Sequence, residues 1–165
     1  MSLRLPGEKI FERKELAARL RKVRPERLAL ANGVFDLLHV GHARLLGDAR
    51  TKADGLVVAL NDDTSTRTCK GAGRPILPLS QRLELMASLR AVDWVTWFPE
   101  PTVAGTLEIL APDFQVKGTD YRPGSLPDDE REIHRRLGIE VLIAGDPKSH
   151  ATTDLIEIIR SRGLR

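Results

Sequence analysis

Cysteine and aromatic residues are scarce in this 165-residue chain, and long apolar runs are missing. The single cysteine, Cys69, cannot form an internal disulfide and is a poor metal ligand on its own, so a reduced, incidental thiol is expected. Aromatic residues make up only 4% of the sequence, which leaves few stacking platforms for single-stranded nucleic acid. The longest apolar run covers residues 56–60, far short of the roughly 20 residues that span a membrane. We therefore expect a protein that binds neither nucleic acid nor membrane.

The rest of the composition is ordinary for one folded domain, with 41% hydrophobic and 30% charged residues. The net charge of +3 is small and dispersed, which suits a small phosphorylated ligand better than a nucleic acid. Segment 1–16 is rich in charge and lacks the apolar stretch of a secretory signal, which predicts a cytoplasmic location. Residues 1–26 are interpreted as a helical lead-in and residues 27–165 as the main domain.

Short apolar runs alternate with amphipathic stretches along the chain. Strands are predicted at 27–31, 55–60, 94–98, 113–116 and 140–143. Helices are predicted at 15–22, 42–51, 80–89 (with Ser80 as N-cap), 102–110, 129–137 and 153–162, with 61–79 as a loop. This alternation predicts an α/β fold: a single Rossmann-like, doubly wound parallel sheet. Ligands of such sheets bind beyond the carboxyl ends of the strands, so the loops that follow strands carry the candidate site.

The first strand–loop–helix segment, residues 32–42, reads NGVFDLLHVGH and holds the strongest chemical signal. His39 and His42 flank Gly41 at the start of a predicted helix, where backbone N–H groups and the helix dipole favour anions. Gly41 and Gly33 leave room for a phosphate to approach the main chain. Two imidazoles that donate hydrogen bonds to phosphoryl oxygens suit a reaction at phosphorus.

Two other interpretations of the histidine pair stay open. Their spacing would allow both to bind zinc, although no cysteine or third histidine lies nearby and three or four ligands are the rule. They could also be helix-capping residues without a chemical role. A Walker phosphate loop and the G-x-G-x-x-G dinucleotide motif do not occur in this turn.

Residues 32–42 resemble the signature of the HxGH nucleotidyltransferase superfamily, and the resemblance extends over nearly the whole chain. Members transfer a nucleoside monophosphate from ATP or CTP onto a phosphate and release pyrophosphate. The segments 57–63 (VVALNDD), 70–75 (KGAGRP), 78–82 (PLSQR) and 116–121 (VKGTDY) resemble one branch, the adenylyltransferase domains of ADP-heptose synthases. The lead-in 8–11 (EKIF) is similar to that branch as well.

The resemblance implies four catalytic residues. His39 and His42 would contact the nucleotide phosphates and stabilise the transition state at the α-phosphorus. Lys70, in a glycine-flanked loop, would neutralise two anionic substrates, a task for which Arg74 competes. Arg82 would contact a phosphate. Their ordinary alternatives are a loop histidine, a helix cap, a solvated lysine and an exposed helix arginine.

The resemblance also implies a set of nucleotide-binding residues. They are Asn32, Gly33, Phe35, Asp36, Gly41, Asn61, Asp62, Lys117, Gly118, Asp120, Tyr121, Thr152 and Thr153. Phe35 would form a wall beneath the nucleotide or belong to the core, and Asp36 would orient a histidine, bind substrate or serve a turn. Asp120 could accept from ribose hydroxyls. Thr152 and Thr153 would bind the triphosphate at a helix start, or only cap it, and Ala151 replaces the serine usual in the family.

The expected enzyme moves AMP from ATP, with Mg²⁺ on the triphosphate, onto a sugar 1-phosphate. The branch points to D-glycero-β-D-manno-heptose 1-phosphate, and hence to a lipopolysaccharide precursor. No protein ligands for the magnesium are assigned. The alternatives are a glycerol-3-phosphate-type cytidylyltransferase, a non-catalytic nucleotide-binding regulator and, at greater distance, an RNA-binding module. Because related synthases often carry a fused sugar kinase, a separate kinase partner is expected, and a homodimer is plausible for the fold.

Overall fold

Five parallel strands form one sheet in the order β3-β2-β1-β4-β5 in the computed structural model, which describes residues 5–146 and 152–163. The strands are β1 (Leu28–Gly33), β2 (Gly55–Asn61), β3 (Trp94–Phe98), β4 (Phe114–Lys117) and β5 (Glu140–Ile143). All five strand predictions are confirmed to within two residues at each end. Strand β2 is buried along its whole length, as expected of a central strand covered on both faces.

Seven α-helices belong to the described part of the chain. They are α1 (Arg13–Val23), α2 (Val40–Lys52), α3 (Asp63–Lys70), α4 (Leu79–Ser88), α5 (Ala104–Leu110), α6 (Asp128–Leu137) and α7 (Thr152–Ser161). The prediction of a continuous loop over 61–79 is wrong, because α3 lies inside it. Ser80 is not the N-cap of α4 either; the helix begins at Leu79 and Pro78 precedes it.

Side chains alternate between two cores, one on each face of the sheet. On β1, Ala29 and Ala31 face a core that includes Leu46 of α2 and Met86 of α4. Leu28 and Leu30 face a second core with side chains of α1 and α5, against which Ile133 of α6 packs. Helices on both faces of one parallel sheet confirm the doubly wound, Rossmann-like architecture.

The N-terminal segment before α1 is attached to the edge strand β3. Ile10 forms a parallel bridge with Val95, whose amide donates to Lys9 O and whose carbonyl accepts from Phe11 N–H. Leu16 of α1 is fully buried in the second core. The lead-in is therefore packed into the same structure as the sheet. None of the helices in residues 5–146 and 152–163 has the length and apolar character needed to cross a bilayer.

The strand order reverses direction at the centre of the sheet. The chain passes from β1 to β2 on one side, whereas β4 pairs with β1 on the other side. The loops that leave the carboxyl ends of β1 and β4 consequently diverge and leave a crevice between them, which is where doubly wound sheets bind ligands. The HxGH segment follows β1, and Gly118 and Asp120 follow β4.

Candidate active site

A cavity of about 590 Å³ opens at the carboxyl edge of the sheet, beside the point where β1 and β4 part. It brings together most of the site residues that the sequence singled out. Those that line it are Asn32, Gly33, Phe35, Asp36, His39, Gly41, His42, Asn61, Lys70, Gly118 and Asp120. The cavity is therefore formed by loops far apart in the sequence, which all leave the same edge of the sheet.

The two histidines of the first loop form a stacked pair. Their ring centroids lie 3.9 Å apart, and the planes are inclined by 26°. His39 is the N-cap of α2, and its Nδ1 accepts from the Gly41 N–H at 3.2 Å. His42 Nδ1 accepts from the His39 N–H at 3.4 Å. The turn thus satisfies some of its own N–H groups and holds both rings in place.

This hydrogen bonding determines the tautomer of each neutral ring. Because Nδ1 acts as an acceptor in both His39 and His42, the ring proton resides on Nε2. Each Nε2–H is consequently a hydrogen-bond donor. Two oriented donors on adjacent rings are suited to a phosphoryl oxygen that gains charge during a reaction.

His42 is neutral at physiological pH. Burial, together with the smaller effect of the neighbouring His39, lowers the pKa of His42 from 6.5 to about 4. A permanently charged His42 is therefore not part of this site. Its contribution is a hydrogen bond from an oriented ring.

The lowered pKa of His42 predicts acid-sensitive stability. Between pH 6.5 and about 4 the unfolded chain binds a proton at His42 that the folded chain does not, so the free energy of unfolding falls as the pH falls through this window. We expect His42→Asn to lose less stability than the unmodified protein between pH 7 and pH 5, measured by urea unfolding. Equal losses in both proteins would show that His42 is not the titrating group.

The Phe35 ring packs against the His42 ring of the histidine pair. Its ring lies 5.2 Å from the His42 ring in an edge-on arrangement, and the residue is buried in the core beneath α2 and α4. It has a positive φ of 47°, which is uncommon for a bulky residue. A Cβ at Gly33 would lie 3.2 Å from the Phe35 ring, so glycine gives this ring its space. Phe35 thus belongs to the core and also lines the cavity.

The hydrogen bonds and the ion pair of Asp36 join it to residues 74–77, and they give no support to the prediction that it orients a histidine. The carboxylate is buried and accepts from the backbone N–H groups of Ile76 and Leu77, each at 2.9 Å. It also pairs with Arg74 at 3.0 Å. Asp36 therefore links the segment between α3 and α4 to the loop that carries His39 and His42. Its ion pair also holds Arg74 at the cavity wall.

Arg82 is placed differently from both sequence interpretations, since it is neither exposed nor at the cavity. Its side chain is fully buried and ion-paired with Asp63 at 2.6 Å. The guanidinium donates to the carbonyl oxygens of Leu77, Val34 and Asn61 at 2.7–3.0 Å. Arg82 therefore joins three segments that border the site, and the phosphate contact has no support in this geometry.

Helix α3 presents Lys70 to the cavity. Lys70 is its last residue and is exposed, as is the neighbouring Cys69, and both line the cavity wall. Lys70 thus ends a helix rather than lying within a flexible loop. Asp62 is the N-cap of α3, accepts from the Ser65 N–H at 2.6 Å and does not line the cavity, whereas Asn61 does.

The loops after β4 and β5 form another wall. Gly118 leaves room for Asp120, because a Cβ at Gly118 would lie 2.8 Å from Asp120 Oδ1. Gly145 has φ +83° and approaches α2 so closely that a Cβ would meet the Leu45 backbone at 3.1 Å. Lys117 and Tyr121 do not line the cavity. Helix α7 begins at Thr152, but the side chains of Thr152 and Thr153, like Ala151, lie outside the described residues.

Sequence reasoning missed Glu130, a buried carboxylate on the cavity wall. It lies on α6, a helix otherwise dominated by exposed charge. The available signal was its spacing of three residues from Ile133, which places both on the inward face of the helix. No group of three or more histidine, cysteine or acidic side chains that could hold a metal ion occurs in residues 5–146 and 152–163.

A family model described as cytidylyltransferase-like matches residues 30–163. The chain is 44% identical over 161 residues to the bifunctional protein HldE of Halorhodospira halophila, covering 95% of this chain and 33% of that protein. It is 40% identical over 149 residues to HldE of Shigella sonnei, covering 90% of this chain and 31% of the relative. The chain therefore spans about one third of the length of the curated relatives it matches.

Solved structures give the same picture of the fold. A lipopolysaccharide core biosynthesis protein from Thermoplasma volcanium superposes with a TM-score of 0.60 at 26% identity, covering 74% of this chain and 98% of that one. Pantoate-β-alanine ligase from Francisella tularensis superposes with a TM-score of 0.56 at 16% identity, covering 93% and 77%. The second likeness concerns the fold alone.

Proposed function

Since the chain belongs to the cytidylyltransferase-like family, we propose that it transfers AMP from ATP onto a sugar 1-phosphate and releases pyrophosphate. The observation that carries this proposal is the stacked pair of imidazoles at the start of α2, of which His42 is kept neutral mainly by burial. Both rings line the cavity, and both direct their acceptor nitrogen into the turn. Nε2–H groups at the cavity are donors of the kind that suits phosphoryl oxygens.

The proposed step is a direct in-line displacement. An oxygen of the acceptor phosphate attacks the α-phosphorus of ATP, the bond from this phosphorus to the β-phosphate oxygen breaks, and pyrophosphate leaves. Imidazole Nε2–H groups stabilise the charge that builds on the α-phosphoryl oxygens. No covalent intermediate is needed, because a phosphate monoester is a competent nucleophile once it is held about 3 Å from phosphorus.

ATP is proposed to enter as its magnesium complex. Magnesium dehydrates reluctantly, keeps several waters and is commonly held by substrate phosphates with one or two carboxylates. Asp120 and Asp146 line the cavity and are the carboxylates beside the loops after β4 and β5. Two carboxylates are enough for a magnesium ion that the substrate phosphates also hold, but they are too few for a magnesium ion bound by protein ligands alone.

The proposed acceptor is D-glycero-β-D-manno-heptose 1-phosphate, and the product would be a precursor of lipopolysaccharide. The segments 57–63, 70–75, 78–82 and 116–121 support this choice through their resemblance to one branch of adenylyltransferase domains. The likeness to HldE proteins and to a lipopolysaccharide core biosynthesis protein also supports it. The separate sugar kinase, the homodimer and the cytoplasmic location stay predictions.

A turnover panel tests the proposal. ATP and CTP are each combined with heptose 1-phosphate or glycerol 3-phosphate in the presence of magnesium, and pyrophosphate release is followed. We expect ATP with heptose 1-phosphate to give the highest kcat/KM. Preference for CTP with glycerol 3-phosphate would favour the cytidylyltransferase alternative, and nucleotide binding without pyrophosphate release would favour a regulator.

Substitution of Lys70 is expected to affect activity without affecting stability. We expect Lys70→Ala to lower kcat/KM about 10- to 100-fold, because an ammonium at the cavity wall offsets the repulsion between two anionic substrates. Stability should not change, since Lys70 is exposed at a helix end. Arg67→Ala is the matched control, because Arg67 is an exposed cation of the same helix that does not line the cavity. Equal effects of both changes on kcat/KM would contradict a local role of Lys70.

A further inference from the structure

The cavity has two halves that lie on opposite faces of the sheet. His39, His42 and Phe35 belong to the side of α2, whose core includes Ala29 and Ala31. Asn32 lies on the other face, with Leu30, as the alternation of β1 requires. The second half of the cavity, which we call the α6 half, is lined by Asn32, Phe98, Thr102, Val103 and Glu130.

The α6 half contains a buried polar network. Gln115 of β4 donates from Nε2 to Asn32 Oδ1 at 3.0 Å and to Glu130 Oε2 at 2.9 Å. Glu130 Oε1 accepts from the Val103 N–H at 3.3 Å, and Lys117 Nζ lies 3.7 Å from Oε2. Gln115 Oε1 is bonded to His134 Nε2 at 2.6 Å. Each polar side chain is thus held in one orientation by its neighbours.

Glu130 and Asn32 keep hydrogen-bonding capacity toward the cavity. A carboxylate offers about four acceptor positions, and the described residues occupy only some of those on Glu130. The Asn32 amide uses its oxygen for Gln115, and its NH₂ group makes no hydrogen bond within residues 5–146 and 152–163. One acceptor and one donor group therefore line the same part of the wall.

The charge of Glu130 decides which part of a substrate suits this half. A neutral glutamine could also accept from Val103 and Gln115, so among the described contacts only the ion pair with Lys117, at 3.7 Å, uses the charge of this buried carboxylate. The same negative charge repels phosphate groups. A group with hydroxyl donors fits beside it, whereas the triphosphate of a nucleotide does not.

We propose that Glu130 and Asn32 form a subsite that recognises hydroxyl groups of the acceptor and so selects polyhydroxylated phosphates. This inference rests on the proposed function, because an in-line transfer needs the second substrate opposite the nucleotide. The histidine half holds the α-phosphorus, and the α6 half holds the carbon skeleton of the acceptor. Glu130 accepts from substrate hydroxyls, and Asn32 donates to a hydroxyl oxygen.

Steady-state kinetics of Glu130→Gln test the subsite. We expect the KM for heptose 1-phosphate to rise about 10- to 100-fold, the scale of a lost hydrogen bond to a charged group, while the KM for ATP changes less than about twofold. We also expect a smaller ratio of kcat/KM for heptose 1-phosphate to kcat/KM for glycerol 3-phosphate, by a similar factor, because glycerol 3-phosphate has fewer hydroxyls. Glu132→Gln is the matched control, because Glu132 is exposed on the same helix and pairs with Arg135.

Asn32→Ala is a second variant in case Glu130→Gln fails to fold, and it should give the same selective rise in KM. A purely structural role of the network would instead change both KM values together, or lower only the melting temperature, and either result would overturn the subsite. An unmodified protein that turns over no acceptor would overturn the proposed function, and the subsite with it. The subsite alone would be overturned if the unmodified protein turned over heptose 1-phosphate normally and both variants kept the same acceptor preference.

Discussion

Exchanging His39 for asparagine is expected to lower kcat about 100- to 1000-fold, the cost of removing one preorganised donor from a developing oxyanion. Asparagine is among the best N-cap residues, and its side-chain oxygen can take over the acceptor role of His39 Nδ1 toward the Gly41 N–H. It cannot supply a donor at the position of Nε2. The exchange therefore removes the proposed catalytic contact and retains the local structure.

We expect His42→Asn to lower kcat for the same reason and also to retain the local structure. Its oxygen can accept from the His39 N–H, as His42 Nδ1 does, but the donor at Nε2 is lost. Stopped assays of pyrophosphate release give kcat for both variants, and thermal unfolding gives their stability. His42→Gln is the matched control, because its longer side chain carries an N–H₂ group closer to the Nε2 position, and it should retain more activity than His42→Asn. Stable, folded asparagine variants with normal turnover would refute the role of the imidazoles.

Replacing Arg82 with methionine is expected to cost about 3–5 kcal/mol of unfolding free energy, because each buried carbonyl that loses its donor costs about 1–3 kcal/mol. The guanidinium is fully buried and donates to the carbonyls of Leu77, Val34 and Asn61. Methionine would leave these carbonyls and the Asp63 carboxylate without their donor. Urea unfolding measures the loss directly.

Arg90→Met is the matched control for Arg82, because Arg90 is an exposed arginine just beyond the end of the same helix. Its stability should change by no more than about 0.5 kcal/mol. Arg82→Lys should recover only part of the loss, because one ammonium cannot reach all the acceptors of a planar guanidinium. A stable Arg82→Met protein that has lost its activity would instead return Arg82 to the phosphate-binding role that the sequence suggested.

The strands were predictable because the signal for them is local. Residues 94–98 and 140–143 are short, largely apolar segments, and the structure has strands over the same residues. Helix α3 escaped prediction because its sequence, DTSTRTCK, is rich in threonine and serine, which are poor helix formers. Its cap at Asp62 is local, whereas the burial of Ser65 and Thr66 depends on tertiary structure.

The site residues likewise differ in whether local sequence or long-range contacts determine their placement. The histidine pair was predictable because its geometry follows from one strand–loop–helix segment. The roles of Asp36, Arg82 and Glu130 were not, because their partners lie far along the chain. Asp36 binds backbone groups 40 and 41 residues away, and Arg82 reaches a carbonyl 48 residues away. No local pattern distinguishes such a buried charge from an exposed one.

The fate of a labelled phosphorus distinguishes transfer of AMP from transfer of the terminal phosphate and from simple hydrolysis. The protein is incubated with magnesium, heptose 1-phosphate and ATP carrying ³²P at either the α- or the γ-position, and the products are separated. We expect the α-label in the sugar nucleotide and the γ-label in pyrophosphate. Appearance of the γ-label on the acceptor, or release of the α-label as free AMP without transfer, would contradict the proposed transfer of AMP.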